Sequence, residues 1–200
     1  MTKLKEYKMF IDGEWLDSES KKKFETLNPE NNEPWAVVPE ASAKDVDKAV
    51  KAAQEAFEGK WPKLFPKERA KYLKAIADQL RENAELLGKI ETIDTGKLFK
   101  ETKTQANYIA EYYDYYAGLA DKIEGTVLPI DKPNMQVITT RVPIGVIAAI
   151  IPWNSQMLLT AVKLAPALAM GNTVVIKASE LGPVTLLEFA KLVEKTGIPK

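Results

Sequence analysis

Residues 143 to 180 place the tightest constraint on what this chain can fold into. Pro143-Ile-Gly-Val-Ile-Ala-Ala-Ile-Ile-Pro-Trp-Asn154 reads as a buried strand that stops on a polar turn. An apolar helical run follows, from about 157 to 170, and then Gly171-Asn-Thr-Val-Val-Ile-Lys177-Ala-Ser-Glu180, a second strand ending on polar residues. Strand, turn, helix and strand in this order make a parallel unit of an α/β fold. Ligands of open α/β sheets bind beyond the carboxyl ends of the strands, where this chain places its polar residues.

The residues before this unit read as short strands and then long helices. Phe10-Ile-Asp-Gly-Glu-Trp15 predicts a hairpin turning at Asp12-Gly13. Phe24 to Leu27 and Ala36 to Val38 are further strands, separated by Asn28-Pro29 and stopped at Pro39. Ser42 is placed to cap a helix with Val46, Ala49, Val50, Ala53 and Phe57 on its buried face and Gly59 at its end. Pro66 opens a second helix whose stripe is Ala70, Leu73, Ile76, Ala77 and Leu80. Its pattern continues through Leu86, Leu87, Ile90 and Ile93 to Gly96. A third helix is predicted over 101–123, burying Ile109, Tyr112, Tyr113, Tyr116, Leu119 and Ile123, and a strand over 135–141. A last helix runs from Pro183 to about Lys195. A further parallel strand is expected after Gly197, so the sequence reads as the beginning of a larger protein.

Composition narrows the chemistry. Lys plus Arg and Asp plus Glu balance at 28 each among 200 residues, so no field that would favour nucleic acid or anionic lipid arises. There is no cysteine and no histidine, which removes thiolate chemistry, disulfides and the commonest general base and metal ligand. No metal site is expected. Residues 142 to 162 are uncharged, but Pro152, Asn154, Ser155 and Gln156 interrupt them, against a membrane span. The N-terminus shows no apolar signal segment, and a cytoplasmic location is the expectation.

Three polar positions carry alternatives. Asn154, between strand and helix, reads either as an N-cap or Asx turn or as an amide aimed at a developing oxyanion. Lys177 and Glu180 read as a solvated strand end or as a clamp on a vicinal diol, Lys donating and Glu accepting, since an acidic residue after the second strand binds ribose in dinucleotide folds. Lys163, within an otherwise uncharged helix, either snorkels to the surface or is buried for a purpose. The glycine fingerprints of dinucleotide and phosphate loops are absent.

Seven short stretches in a fixed order resemble the N-terminal part of an aldehyde dehydrogenase. They are Phe10 to Trp15, Asn28-Pro29, Pro39-Glu-Ala-Ser-Ala43, Asp94-Thr-Gly-Lys97, Tyr116 to Gly125, Ile151-Pro-Trp-Asn154, and Ala165 through Lys177. The resemblance implies a helical N-terminal section over 1–124, oligomerisation-arm strands over 125–142, and the first half of a Rossmann-like NAD(P)-binding domain over 143–200, an incomplete parallel sheet. It implies that Asn154 is the oxyanion-hole amide. Ile150, Ile151, Pro152 and Trp153 would contact the cofactor, Lys177 and Glu180 would bind the adenosine ribose, and Ser179 would lie beside them. Glu180 favours NAD over NADP.

Aldehyde is the implied substrate, and a homodimer or homotetramer the implied assembly. Ser155, where an aromatic residue is usual, and Val162 would line the aldehyde channel with Leu158, Leu159 and Tyr108. The family's nucleophilic cysteine and general-base glutamate have no counterpart here, so these 200 residues by themselves are expected to be inactive. A non-catalytic module that binds nucleotide or a partner, and a semialdehyde dehydrogenase of the same superfamily, are the alternatives.

Overall fold

The computed structural model describes residues 4–200. Its first part is built from short strands: β1 (Lys5–Glu6), β2 (Met9–Ile11), β3 (Glu14–Leu16), β4 (Lys23–Asn28) and β5 (Glu33–Pro39). β2 and β3 form the expected hairpin, with Asp12 and Gly13 both at positive φ in the turn. β4 and β5 pair antiparallel, and β1 adds parallel to the free edge of β5. Tyr7, Ala36 and Val38 bury one side of this sheet against Ile90 and Val184 of later helices.

Four helices follow: α1 (Ala43–Glu58), α2 (Pro66–Glu82), α3 (Ala84–Thr95) and α4 (Phe99–Leu119). A single pattern had run from Pro66 to Gly96, yet the helix is interrupted. Asn83 leaves helical geometry and its side-chain amide takes the Gln79 carbonyl, a local bond that competes with the helical ladder. α4 ends four residues earlier than its stripe predicted, in a turn closed by Lys122 N–H on the Leu119 carbonyl, and Ile123 is exposed. The expected strand over 135–141 shrinks to β7 (Val137–Ile138), paired antiparallel with β6 (Val127–Leu128).

The parallel unit is present: β8 (Val146–Ile150), α5 (Gln156–Ala169) and β9 (Thr173–Lys177), followed by α6 (Val184–Lys195). The main core lies between this unit and the helices. Leu73, Ile76 and Leu80 of α2 meet Ile109 and Tyr113 of α4, Ala149 of β8 and Ile151 just after it, Met157 and Leu164 of α5, and Phe189 of α6. Asn172 fixes the entry to the unit, its side-chain oxygen accepting from the N–H groups of Ile144 and Gly145.

Two burial expectations need correction. The sequence predicts β8 buried on both faces, but within it only Ala149 is buried, while Ala148 and Ile150 are exposed. Among the described residues β8 has a strand partner on one edge only, and α1 and α5 both pack against the pair it forms with β9. Val46 and Val50 of α1 are exposed, although the helix itself and its cap are as predicted. No helix among the described residues is long and apolar enough to cross a membrane.

Candidate functional site

The parallel register brings the two polar turns together. Ile150 lies opposite Lys177, and the Ile151 N–H donates to the Lys177 carbonyl at 3.0 Å. The turn over 152–155 and the turn over 178–182 therefore leave the same sheet edge side by side. Pro152, Trp153 and Asn154 are exposed there, as is Ile150 at 69%. Ile151 faces the other way, its side chain 1% exposed in the main core, so only its backbone belongs to this edge.

Asn154 is neither cap nor Asx turn. The residue before α5 is Ser155, and the Asn154 amide makes no hydrogen bond among the described residues. Its N–H₂ group is free to donate outward. Lys177 and Glu180 do form a pair, Nζ to Oε2 at 2.9 Å, with both side chains mostly exposed. The Glu180 N–H and the Lys177 ammonium hold the Glu180 carboxyl below its usual range. Ser179 is buried instead, its Oγ accepting from the Leu181 N–H at 3.2 Å, so its hydroxyl shapes the turn.

A polar layer that the sequence reading passed over lies behind the first turn. Lys97 Nζ donates to Ser155 Oγ at 2.9 Å and to Gln105 Oε1 at 3.0 Å, and lies 3.7 Å from Glu91 Oε1. Glu91 is 2% exposed, and burial pushes its carboxyl up against the pull of Lys97. Gln156 is fully buried, with Nε2 donating to the Gly182 carbonyl. Asp94, 1% exposed, accepts from Thr185 N–H and Oγ1, both at 3.0 Å. It thereby serves from α3 as the cap of α6, which has no side-chain cap of its own. Burial lifts its carboxyl to about 6, against the hydrogen bonds from Thr185 and Val184. Asp94-Thr-Gly-Lys97 had been noted as a stretch, but nothing local in it announces contacts with residues 155 and 185.

Of the residues expected to line a channel, Leu158, Leu159 and Val162 are half-buried along α5 and Ser155 stands at its start. Tyr108 is exposed on α4, edge to face with Tyr112 at 5.5 Å. It lines a hollow of about 310 Å³ with Glu111, Tyr112, Tyr115 and Tyr116, which includes no residue of α5. Lys163 is half-buried, its Nζ on the Leu159 carbonyl. Among the described residues no cluster of acidic side chains could hold a metal ion.

Comparison with known proteins places this arrangement. Residues 15–200 match the aldehyde dehydrogenase family. The chain is 49% identical over 197 residues to (Z)-2-((N-methylformamido)methylene)-5-hydroxybutyrolactone dehydrogenase of Acinetobacter baylyi, covering 98% of this chain and 40% of that one. It is 42% identical to betaine aldehyde dehydrogenase of Bacillus subtilis, covering 96% and 39%. The crystal structure of betaine aldehyde dehydrogenase from Staphylococcus aureus in complex with NAD+ superposes with a TM-score of 0.92 at 38% identity, over 96% of this chain and 39% of that one. The chain thus spans about two fifths of the length of the relatives it matches. A family match over residues 15–200, with a solved relative superposing over 96% of the chain, makes this chain a member of the aldehyde dehydrogenase family, corresponding to its N-terminal portion.

Proposed function

We propose that this chain supplies the cofactor edge and one oxyanion donor of an NAD-dependent dehydrogenase that oxidises an aldehyde to a carboxylic acid. One observation carries the reading: the register Ile150 to Lys177 sets the unbonded Asn154 amide and the Lys177–Glu180 pair on one exposed sheet edge. The residues present fit a dinucleotide. The exposed pair offers a donor and an acceptor to vicinal hydroxyls, and the exposed Ile150, Pro152 and Trp153 offer apolar contact beside it. The solved betaine aldehyde dehydrogenase bound to NAD+ supports the same cofactor here. When bound, NAD takes up a hydride from the substrate carbon.

The protein residues bind and polarise. Asn154 donates an N–H to the oxygen that gains charge as a thiol adds to the carbonyl. Glu180 accepts from a ribose hydroxyl and disfavours a 2′-phosphate, so NADP is the weaker cofactor. Ser155, Leu158, Leu159 and Val162 lie toward the aldehyde, while Tyr108 lines a separate hollow on α4. The chain holds no cysteine, so the thiol comes from elsewhere in the catalytic protein. The described residues 4–124 form the section packed on the cofactor unit. Residues 125–142, with exposed Val127, Met135 and Ile138, form an arm through which copies assemble as a homodimer or homotetramer in the cytoplasm.

The test is steady-state kinetics on a protein in which residues 1–200 are joined to a cysteine-bearing remainder. Aldehyde-dependent NADH formation is expected there, and none from the 200 residues by themselves. Asn154→Ala should lower kcat by about 10²-fold or more, the usual cost of losing an oxyanion donor. An unchanged kcat would remove Asn154 from the reaction.

A further inference from the structure

We propose that Lys97 is a positioning residue: its ammonium holds the Ser155 hydroxyl and through it fixes the turn that presents Asn154. The geometry begins at the end of α3. Gly96 closes that helix in the left-handed region, φ +74°, with its N–H on the Thr92 carbonyl. This reversal delivers Lys97 to the space between α3, α4 and the start of α5. There the ammonium has three partners from three segments: Glu91 of α3 at 3.7 Å, Gln105 of α4 at 3.0 Å and Ser155 at 2.9 Å.

Ser155 shows that the contact has a use. A serine at the position before a helix ordinarily turns its hydroxyl onto the N–H groups of the first turn. Here that bond is absent and the hydroxyl accepts from Lys97 instead. Its carbonyl still starts the helix, accepting from the Leu159 N–H at 2.9 Å. Asn154, the residue before it, is exposed and its side chain makes no bond among the described residues, so its direction comes from its neighbours. Pro152 restricts the backbone on one side, and Ser155 is the nearest tethered residue on the other. A hydrogen bond from a charged donor is the stronger kind. Behind Lys97 stands the buried Glu91 carboxyl, its Oε1 3.7 Å from the ammonium.

The catalytic consequence rests on the reading of Asn154 as an oxyanion donor, but the tether itself is tested without it. In the 200-residue chain, hydrogen exchange of the Leu159 amide should quicken by about tenfold in Lys97→Met and in Ser155→Ala, the scale of one lost charge-assisted bond. The double variant should be no faster than either single one. Lys97→Arg, which keeps the charge and the reach, should retain most of the protection. The Tyr113 amide in the core reports global unfolding and should not change. Leu159 exchange that is the same in Lys97→Met as in the wild type overturns the tether.

In the cysteine-bearing protein, Lys97→Met should lower kcat with little change in KM for NAD, and Lys97→Arg should restore it. Asn154→Ala run alongside separates the two ideas. If it lowers kcat while Lys97→Met alters neither kcat nor exchange, the tether falls and the oxyanion reading stands. If Asn154→Ala leaves kcat unchanged while Lys97→Met quickens exchange, the tether stands and its catalytic use falls.

Discussion

Glu180 and Asn154 are both exposed side chains at strand ends, and their differences in bonding set what each can do. Glu180 is held by its own N–H and by Lys177, which keeps its carboxyl charged and its direction defined. A 2′-phosphate brought to that carboxylate would meet like charge at short range. Glu180→Ser should therefore raise kcat/KM for NADP relative to NAD by about tenfold or more in the cysteine-bearing protein. Cofactor ratios that are equal before and after the substitution would refute the clamp. Both positions were singled out from the sequence because they follow the carboxyl ends of apolar strands, where ligands of α/β sheets bind. Their partners were only half legible. The Lys177–Glu180 bond spans three residues, so local spacing suggests it. Lys97 and Ser155 lie 58 positions apart, and no pattern along the chain connects them.

At the scale of elements, caps and turns follow from local chemistry while burial does not. Ser42 and Asp45 form a reciprocal capping box at the start of α1, and Asp45 also accepts from Ser18 Oγ and the Glu19 N–H. Burial works to raise the Asp45 carboxyl, but these hydrogen bonds win and bring it to about 2. Ser42→Ala should cost about 1 kcal/mol, visible as a lower urea midpoint and faster amide exchange over residues 43–50. A stability equal to the wild type would mean that the Ser18 and Glu19 contacts suffice to hold the cap. The same helix shows why a stripe does not guarantee a core. Val46 and Val50 have the right spacing, yet each stays about half exposed. Asn83 gives the converse case: a continuous apolar period is broken by one side chain that prefers a local carbonyl.

The whole molecule carries buried acids whose energetics oppose one another. Asp94 titrates near 6 when folded, against 3.8 for an ordinary aspartate. Between these values the folded state holds the extra proton, so stability falls as pH rises from about 4 to about 6, by roughly 2–3 kcal/mol from this group. Glu91 shifts in the same direction. Glu188 behaves oppositely: burial would raise it, but Lys5, Tyr7 and Lys191 bring it to about 2, so its contribution is lost only as pH falls below about 4. Urea unfolding at several pH values should show the fall between 4 and 6 in the wild type and a much flatter profile in Asp94→Asn. A profile that keeps its full slope in Asp94→Asn would exclude Asp94 as its source.

The β2–β3 turn, the Ser42 cap of α1, the Pro66 start of α2 and the parallel unit with polar residues at its strand ends came from the sequence alone. Each depends on hydrophobic period, a glycine or proline constraint, or a side chain reaching its own backbone, all of which act within a few residues. Tertiary structure alone decided which apolar faces are covered, that Ser155 rather than Asn154 stands before α5, that Asp94 caps α6, and that Lys97 reaches the turn beside Asn154. Those facts depend on groups 20 to 100 residues apart meeting where water is excluded. There burial and hydrogen bonding select partners by distance in space, and order along the chain carries no record of it.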